Sequence, residues 1–346
     1  MPSLSVVIVA YNSASALELT LPALAAQLRE GDELIVVDNA STDGSADTAR
    51  RIASGAKVIE AGANLGFAAG CNRGAEEASG DLLVLLNPDA VPQPGWRDAI
   101  ELPLLDGRGW AAWQALVTAD AGRTINTRGG VVHFTGIAWA GGAGMAIADL
   151  PPSEPLAIED PAFVSGACLA IPRRSYLEHG GMPERFFLYQ EDVDLSLRLR
   201  LAGGRLGVEK AARVDHEYEF DKGKAKWRYL ERNRWATLVR TYPAALLAVL
   251  LPGLFATELA LVGVALAGGW LPQKLSAWAG FWRMLPGLLA QRRAIQARRT
   301  VTAREFADAL TPELDSAYLG RAADSHVLGA LLRAYWALAL RLLGSR

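Results

Sequence analysis

Cysteine is nearly absent from this chain, and histidine is scarce: two of the first and four of the second in 346 residues. Cys71 and Cys168 are too few for a disulfide framework, and neither sits in the paired Cys-x-x-Cys spacing of a zinc site. A reducing compartment is the simplest setting for such a chain. An excess of either charge is missing too. With 35 basic and 37 acidic residues the net charge is −2, so nothing globally favours nucleic acid as a partner. No Gly-rich loop with a following basic residue opens the first strand, which argues against a nucleotidyltransferase. No secretory leader is expected, because the start lacks a basic stretch and its apolar run, Leu4 to Ala10, is seven residues long. Internal repeats and long low-complexity tracts are also missing.

What is present is a series of short continuous apolar runs, each ended by turn residues. Leu4 to Ala10 stops at Tyr11-Asn12-Ser13, Leu34 to Val37 at Asp38-Asn39-Ala40-Ser41, and Leu82 to Leu86 at Asn87-Pro88-Asp89. Such runs predict strands buried on both faces. Residues 14–28, 45–52 and 66–78 have helical character, with Ser13 or Ser15 able to cap the first and Thr42 or Asp43 the second. A further strand is predicted over 163–171, after a loop at 151–155 rich in proline. Strand–helix alternation means βαβ units and an α/β, doubly wound, mostly parallel sheet. Tyr11, Asp38 and Asp89 then fall at strand carboxyl ends, the edge where open α/β sheets bind ligands.

The chain's second notable feature is acidic. Glu191-Asp192-Val193-Asp194 follows the run Phe186-Phe187-Leu188-Tyr189-Gln190. Three carboxylates in four residues repel one another unless a cation, a proton or helix-end dipoles offset the repulsion. Together with Asp89 they suggest one place that holds a metal and a diphosphate and another that holds a general base. Other roles are open: Asp89 as a cap, Asp38 as a turn residue, and Asp192 or Asp194 as first-turn helix acids ahead of Arg198 and Arg200.

Composition shifts near residue 242, which divides the chain into a catalytic domain over 1–241 and an α-helical, membrane-associated region over 242–346. From Ala244 to Gly269 the only charge is Glu258. As a helix those residues would extend roughly 39 Å, enough to cross a hydrocarbon core of about 30 Å. Basic residues flank the run on both sides, Lys222 to Arg240 before it and Lys274 to Arg299 after it. A single span is therefore not oriented by the positive-inside rule. A hairpin, or helices lying in one leaflet, would keep both flanks on the cytoplasmic side. A hairpin buried within a soluble helical domain is the alternative. The basic and aromatic residues of 222–240 suit anionic headgroups or a lipid-diphosphate acceptor.

Five segments, in this order and spacing, resemble the inverting family-2 glycosyltransferases and within them the rhamnosyltransferase-like branch. They are Val6-Val7-Ile8-Val9-Ala10-Tyr11-Asn12, Val36 to Ser45, Asn64-Leu65-Gly66-Phe67 through Gly74, Leu86-Asn87-Pro88-Asp89, and Phe186 through Leu195. They cover residues 3–220. The resemblance implies a GT-A fold, a nucleotide-sugar donor, and Mg2+ or Mn2+ as cofactor. Asn87 stands where many members carry an aspartate.

By the same resemblance Asp192 is the general base with Glu191 as close support, and Asp89 is the metal ligand, with His216 in the position of a second one. Asp38 would accept from the nucleobase imide, Tyr11 and Asn12 would line that pocket, and Asn64, Gly66, Asn72 and Asn87 would contact the donor or shape its loop. The implied activity is metal-dependent, inverting transfer from a nucleoside-diphosphate sugar, with thymidine-diphosphate rhamnose favoured. The acceptor would be a lipid-linked or cell-envelope glycan at the cytoplasmic face of the membrane. A processive polysaccharide synthase would normally carry Gln-x-x-Arg-Trp before its membrane helices, and Arg232-Asn233-Arg234-Trp235 lacks that glutamine. A silent glycan- or nucleotide-binding module would be expected to have lost Asp89 or Asp192.

Overall fold

In the computed structural model, which describes residues 2–151, 155–216, 223–315 and 325–344, the apolar runs become strands where they are expected. Glu217, Lys222 and residues 152–154 of the proline-rich loop lie outside the described residues. The chain starts β1 (Leu4–Ala10), α1 (Ala14–Ala25), β2 (Glu33–Asp38), α2 (Ser45–Ile52), β3 (Lys57–Glu60), α3 (Gly66–Glu77), β4 (Leu82–Leu86). It continues with β5 (Ala90–Pro92), α4 (Trp96–Ile100), α5 (Leu102–Leu105), β6 (Trp110–Ala119), β7 (Thr124–Thr127), β8 (Gly130–Val132) and β9 (Ala138–Ala140). Then come β10 (Cys168–Pro172), α6 (Arg173–Glu178), α7 (Glu191–Leu201) and β11 (Arg205–His216).

The large sheet runs β3-β2-β1-β4-β10-β6-β11-β5, with β7 beside β6. Its first four strands are parallel, and β10 enters antiparallel between β4 and β6. Both faces of β1 are covered. Val6 and Ile8 join one core cluster with Leu17, Leu21 and Leu24 of α1. On the other face, Gly70 and Gly74 of α3 lie so close to Val9 and Val7 that an added Cβ would stand 2.6 and 2.3 Å from their methyl groups. Only glycine lets that helix seat there.

The N-cap residues of α1 and α2 are Ser13 and Gly44, and neither makes the expected side-chain cap; Asp43, just ahead of α2, serves the starts of both helices instead. One carboxylate oxygen accepts from Ala14 N–H at 2.8 Å and the other from Ser45 N–H at 3.1 Å, at the starts of α1 and α2. The strand predicted over 163–171 is shorter, beginning at Cys168. Ser165-Gly166-Ala167 turns instead, because its backbone groups bond other segments described below.

The chain divides into two compact units, and the second comprises 131–139, 196–203 and 219–346. It contains α8 (Lys226–Thr241), α9 (Ala244–Ala267), α10 (Leu271–Ala297), α11 (Ala303–Ala307) and α12 (His326–Leu342). Arg292 of α10 donates to the carbonyls of Val239 and Tyr242 at 2.6 and 2.7 Å, closing the C-terminal end of α8 with a cation. In α9, Pro252 disturbs the helical ladder and Tyr335 of α12 repairs it. The Tyr335 hydroxyl accepts from Gly253 N–H at 3.1 Å and donates to the Val249 carbonyl at 2.7 Å, standing between two groups that would otherwise bond each other.

Candidate active site

Register gathers the site at one edge of the sheet. Ala10 pairs with Asp38 and Ile8 with Leu86, so β1, β2 and β4 end together. Tyr11 is half exposed there. Asn12, at φ +51°, accepts from Thr42 N–H at 2.9 Å and donates its own N–H to Ser41 Oγ at 3.0 Å. Asp38 is buried at 4% exposure. Its Oδ2 accepts from Ser41 N–H at 3.1 Å, and its Oδ1 has no hydrogen-bond partner among the described residues. A buried oxygen left so costs about 1–3 kcal/mol. A ligand N–H at that point would remove the penalty.

Asn64, Gly66 and Asn72 shape the neighbouring loop. Asn64 accepts from Gly66 N–H at 3.0 Å at the head of α3. Gly66 has φ +82°, and a Cβ there would stand 2.5 Å from the Phe187 carbonyl and ring, so the position demands glycine. Phe67 N–H donates to that carbonyl at 2.7 Å. Asn72 has both donors and both acceptor positions engaged within the protein. Its Oδ1 accepts from Tyr176 O–H and Met182 N–H at 2.7 and 2.8 Å, and its Nδ2 donates to Met182 O and Glu184 at 2.9 and 3.1 Å. Its geometry is that of a brace for 176–184.

The braced segment leads into strained backbone. Phe187, Tyr189 and Gln190 have φ of +66°, +70° and +70°, values that non-glycine residues adopt at a cost of about 1–3 kcal/mol each. Immediately after them α7 starts with Glu191 and Asp192. Asp192 accepts from Gly166 N–H at 3.0 Å and from Val193 N–H at 2.8 Å. Burial raises the Asp192 carboxyl above its usual range, and those amide bonds oppose the rise. Glu191 has a buried Oε2 with no partner among the described residues. Burial first, and then the charge of Asp192, push its carboxyl up to about 8. The hydrogen bonds decide between the two: the pair's charge resides on Asp192, and Glu191 holds the proton.

On the other side of β4 the last strand brings a distant histidine into place. β11 pairs antiparallel with β5, and His216 stands opposite Ala90. His216 Nε2 lies 3.1 Å from Asp89 Oδ1 and 3.5 Å from Asn87 Nδ2. Asn126 holds the His216 carbonyl at 2.9 Å. His216 is buried while the Asp89 side chain is 44% exposed, so the pair opens outward. One carboxylate oxygen and one imidazole nitrogen suit a divalent cation such as Mg2+ or Mn2+. Among the described residues no three or more His, Cys, Asp or Glu side chains are placed to hold a metal ion together, so a cation here would draw its other ligands from diphosphate oxygens and water.

Gly166 and Ala167 connect the two centres. Gly166 N–H holds Asp192, and the Ala167 carbonyl accepts from Asn87 N–H at 3.0 Å. Neither residue is evident as a site residue in the sequence; the only local sign is a glycine just before an apolar run. Phe187 is equally hidden, since its role lies in a carbonyl and a positive φ.

Residues 5–108 match the family model described as Glycosyl transferase family 2. Over 262 residues the chain is 28% identical to the N-acetylglucosaminyl-diphospho-decaprenol L-rhamnosyltransferase of Mycobacterium tuberculosis, spanning 68% of this chain and 83% of that one. It is 31% identical over 150 residues to the O-antigen biosynthesis protein RfbC of Myxococcus xanthus, spanning 42% of this chain and 12% of that one. Among solved structures it is similar to GalNAc-T7 with UDP, GalNAc and Mn2+, at TM-score 0.57 and 17% identity, covering 72% of this chain and half of that one. It is also similar to S. aureus TarS 1–349 in complex with UDP, at TM-score 0.54 and 15% identity, covering 99% of this chain and 90% of that one. At these identities the structural likeness is one of fold.

Proposed function

We propose that the chain, which resembles the family-2 glycosyltransferases of the rhamnosyltransferase-like branch and has an α/β GT-A fold, carries out an inverting, metal-assisted transfer of a sugar from a nucleoside-diphosphate donor to a lipid-diphosphate-linked glycan. The observation that supports this best is the Gly166–Ala167 turn, which fixes the proposed base with an amide and the Asn87-Pro88-Asp89 segment with a carbonyl. On this reading the acceptor hydroxyl oxygen attacks the anomeric carbon as the bond to the diphosphate breaks. Asp192 takes the hydroxyl proton, and attack from the face opposite the leaving group inverts the centre. Glu191 stays neutral beside it, so Asp192 keeps the single negative charge. Asp89 and His216 would hold a divalent cation, which when bound neutralises charge on the departing diphosphate. Asp38, with its unpartnered oxygen, would receive the nucleobase imide, with Tyr11 and Asn12 beside it.

The named acceptor of the mycobacterial relative, an N-acetylglucosaminyl diphosphate on a polyprenol, supplies the acceptor class, and its rhamnosyl transfer makes thymidine-diphosphate rhamnose the first donor to test. Work at the cytoplasmic face of the cell membrane fits the two free, buried cysteines and the apolar C-terminal helix. The proposal assigns transfer to residues 1–241 and membrane association to 242–346. The test is transfer with a panel of thymidine- and uridine-diphosphate sugars to a polyprenyl-diphosphate N-acetylglucosamine, with the product's anomeric configuration read by NMR. An inverted product formed only with divalent metal supports the reading. A retained configuration, or full activity in a chelator, overturns it.

A further inference from the structure

We infer that the second unit binds an anionic lipid leaflet with α9 lying in the membrane plane and not crossing it. The inference rests on the membrane reading above and settles its geometry. By length and composition α9 is apolar enough to span a bilayer. Its buried residues Leu246, Leu250 and Leu254 recur every four positions, and the next in that row is the part-buried Glu258, 15% exposed and the one charge in the helix. Glu258 accepts from Arg234 at 2.6 Å and from Trp235 at 3.0 Å on one oxygen, and from Lys274 at 2.6 Å and Trp278 on the other. Glu231 completes the cluster, bonding Arg234 at 3.1 Å and also Lys274. Two cations and two carboxylates are thus balanced in a buried box shared by α8, α9 and α10.

That box fixes where α9 can go. Glu258 lies near the middle of the helix, and its partners include α8, which bears Lys226, Arg228, Glu231, Arg232, Arg234 and Arg240. Threading α9 through a bilayer would draw this charged helix into hydrocarbon or break the box, and both are expensive. Lying in the plane avoids both. The outward face then meets lipid: Leu251, Phe255, Leu259 and Leu266 are each at least 60% exposed and fall on one side at helical spacing. α12, clasped to α9 through Tyr335, adds the exposed Leu331, Leu338 and Leu342.

Charge selects the occupant. From residue 244 to 300 the sole acid is Glu258, which is turned inward, whereas Arg283, Arg293, Arg298 and Arg299 are exposed. Exposed Trp282 sits beside Arg283, the pairing that favours a headgroup boundary. Along α9 and α10 the apolar face is bordered by exposed cations and no exposed acid, although Glu313 pairs with Arg333 of α12, and this charge pattern matches anionic lipid; a second copy of this chain would bring the same cations against each other.

The test uses the full chain with vesicles of phosphatidylcholine and phosphatidylglycerol, 2:1. Cys71 and Cys168 are buried, so nitroxides can be placed singly through Ala248→Cys, Phe255→Cys and Leu266→Cys. The expected result is one shallow depth for all three, each reached by an impermeant relaxant from the outside. A deep Phe255 site, with the Ala248 and Leu266 sites open to opposite sides, overturns the in-plane geometry and leaves membrane association standing. Protein that stays monodisperse in solution and never sediments with vesicles overturns both. In the double variant Leu251→Glu/Phe255→Glu, vesicle affinity should fall on the order of 100-fold while the thermal shift with nucleotide is unchanged. Unchanged vesicle affinity would refute the assignment of this face.

Discussion

Replacing Asp192 by asparagine tests the proposed chemistry with little change in shape. In the structure its two oxygens accept one N–H each, from Gly166 at 3.0 Å and from Val193 at 2.8 Å. Asparagine retains one acceptor and turns an NH2 toward the other donor, so one hydrogen bond is lost at about 1–3 kcal/mol. A melting temperature lower by a few degrees follows. Asp38, Asp89 and the Ala167 carbonyl that holds Asn87 are not themselves altered, so nucleotide-sugar affinity should stay near wild type. Turnover should fall on the order of 100-fold or more, since the amide cannot take the acceptor's proton. The assay is single-turnover transfer to a lipid-diphosphate acceptor, with donor binding measured separately by thermal shift. An Asn variant that transfers at the normal rate would show that Asp192 is structural and that the base is elsewhere. A collapse of donor affinity would place Asp192 on the donor instead.

Glu191→Gln mimics the protonated carboxyl. In the folded protein Glu191 keeps its proton up to about 8 against an ordinary value of 4.5, so its favourable contribution is complete below 4.5 and is lost as pH rises towards 8. Urea melts of the Gln variant should therefore show a flatter stability profile over that window; an unchanged slope counts against a neutral Glu191. Asp89→Ala and His216→Ala should each weaken the metal dependence of donor binding by tenfold or more, since losing even a residue that only orients a metal ligand costs about 10–100-fold. Identical metal titrations in both variants would move the cation site elsewhere. Lys274→Met leaves the buried box with an uncompensated carboxylate and should destabilise by roughly 3–5 kcal/mol, with much of that recovered in Lys274→Met/Glu258→Gln. If thermal melts show no recovery, the box is not energetically coupled.

The parallel half of the sheet was legible because its signals are local. β1 and β4 coincide with the apolar runs read from the sequence, and α2 with its predicted span. Strand ends then placed Tyr11, Asp38 and Asp89 on one edge without knowledge of any contact. What local patterning could not supply depends on pairing over long separations, and His216 enters as a metal-ligand candidate through the family resemblance alone. His216 reaches Asp89 only because β11 runs antiparallel to the three residues of β5, a register no periodicity announces. Gly166 acts through its amide and Phe187 through its carbonyl, and backbone groups leave no mark in residue type. Asn72 illustrates the opposite case. Its side chain belongs to the resembling segment, yet four internal hydrogen bonds occupy it, so its identity is explained by packing of 176–184.

The basic segment before the apolar helix shows why composition and geometry must be weighed together. As a pattern, Lys222 to Arg240 suits headgroups, each basic residue near an anionic surface adding about 1 kcal/mol. In the structure Lys226, Arg232, Arg234 and Arg240 are buried, and Arg234 is committed to Glu231 and Glu258. A buried cation held by carboxylates gives little attraction at a distance, because its field is cancelled locally. On the proposed leaflet binding, long-range attraction would come from cations that stay in solvent, chiefly those of α10 and its end. Neutralising Arg293, Arg298 and Arg299 together should therefore weaken vesicle binding and its salt dependence more than neutralising residues of α8, whose loss should register first in the melting temperature.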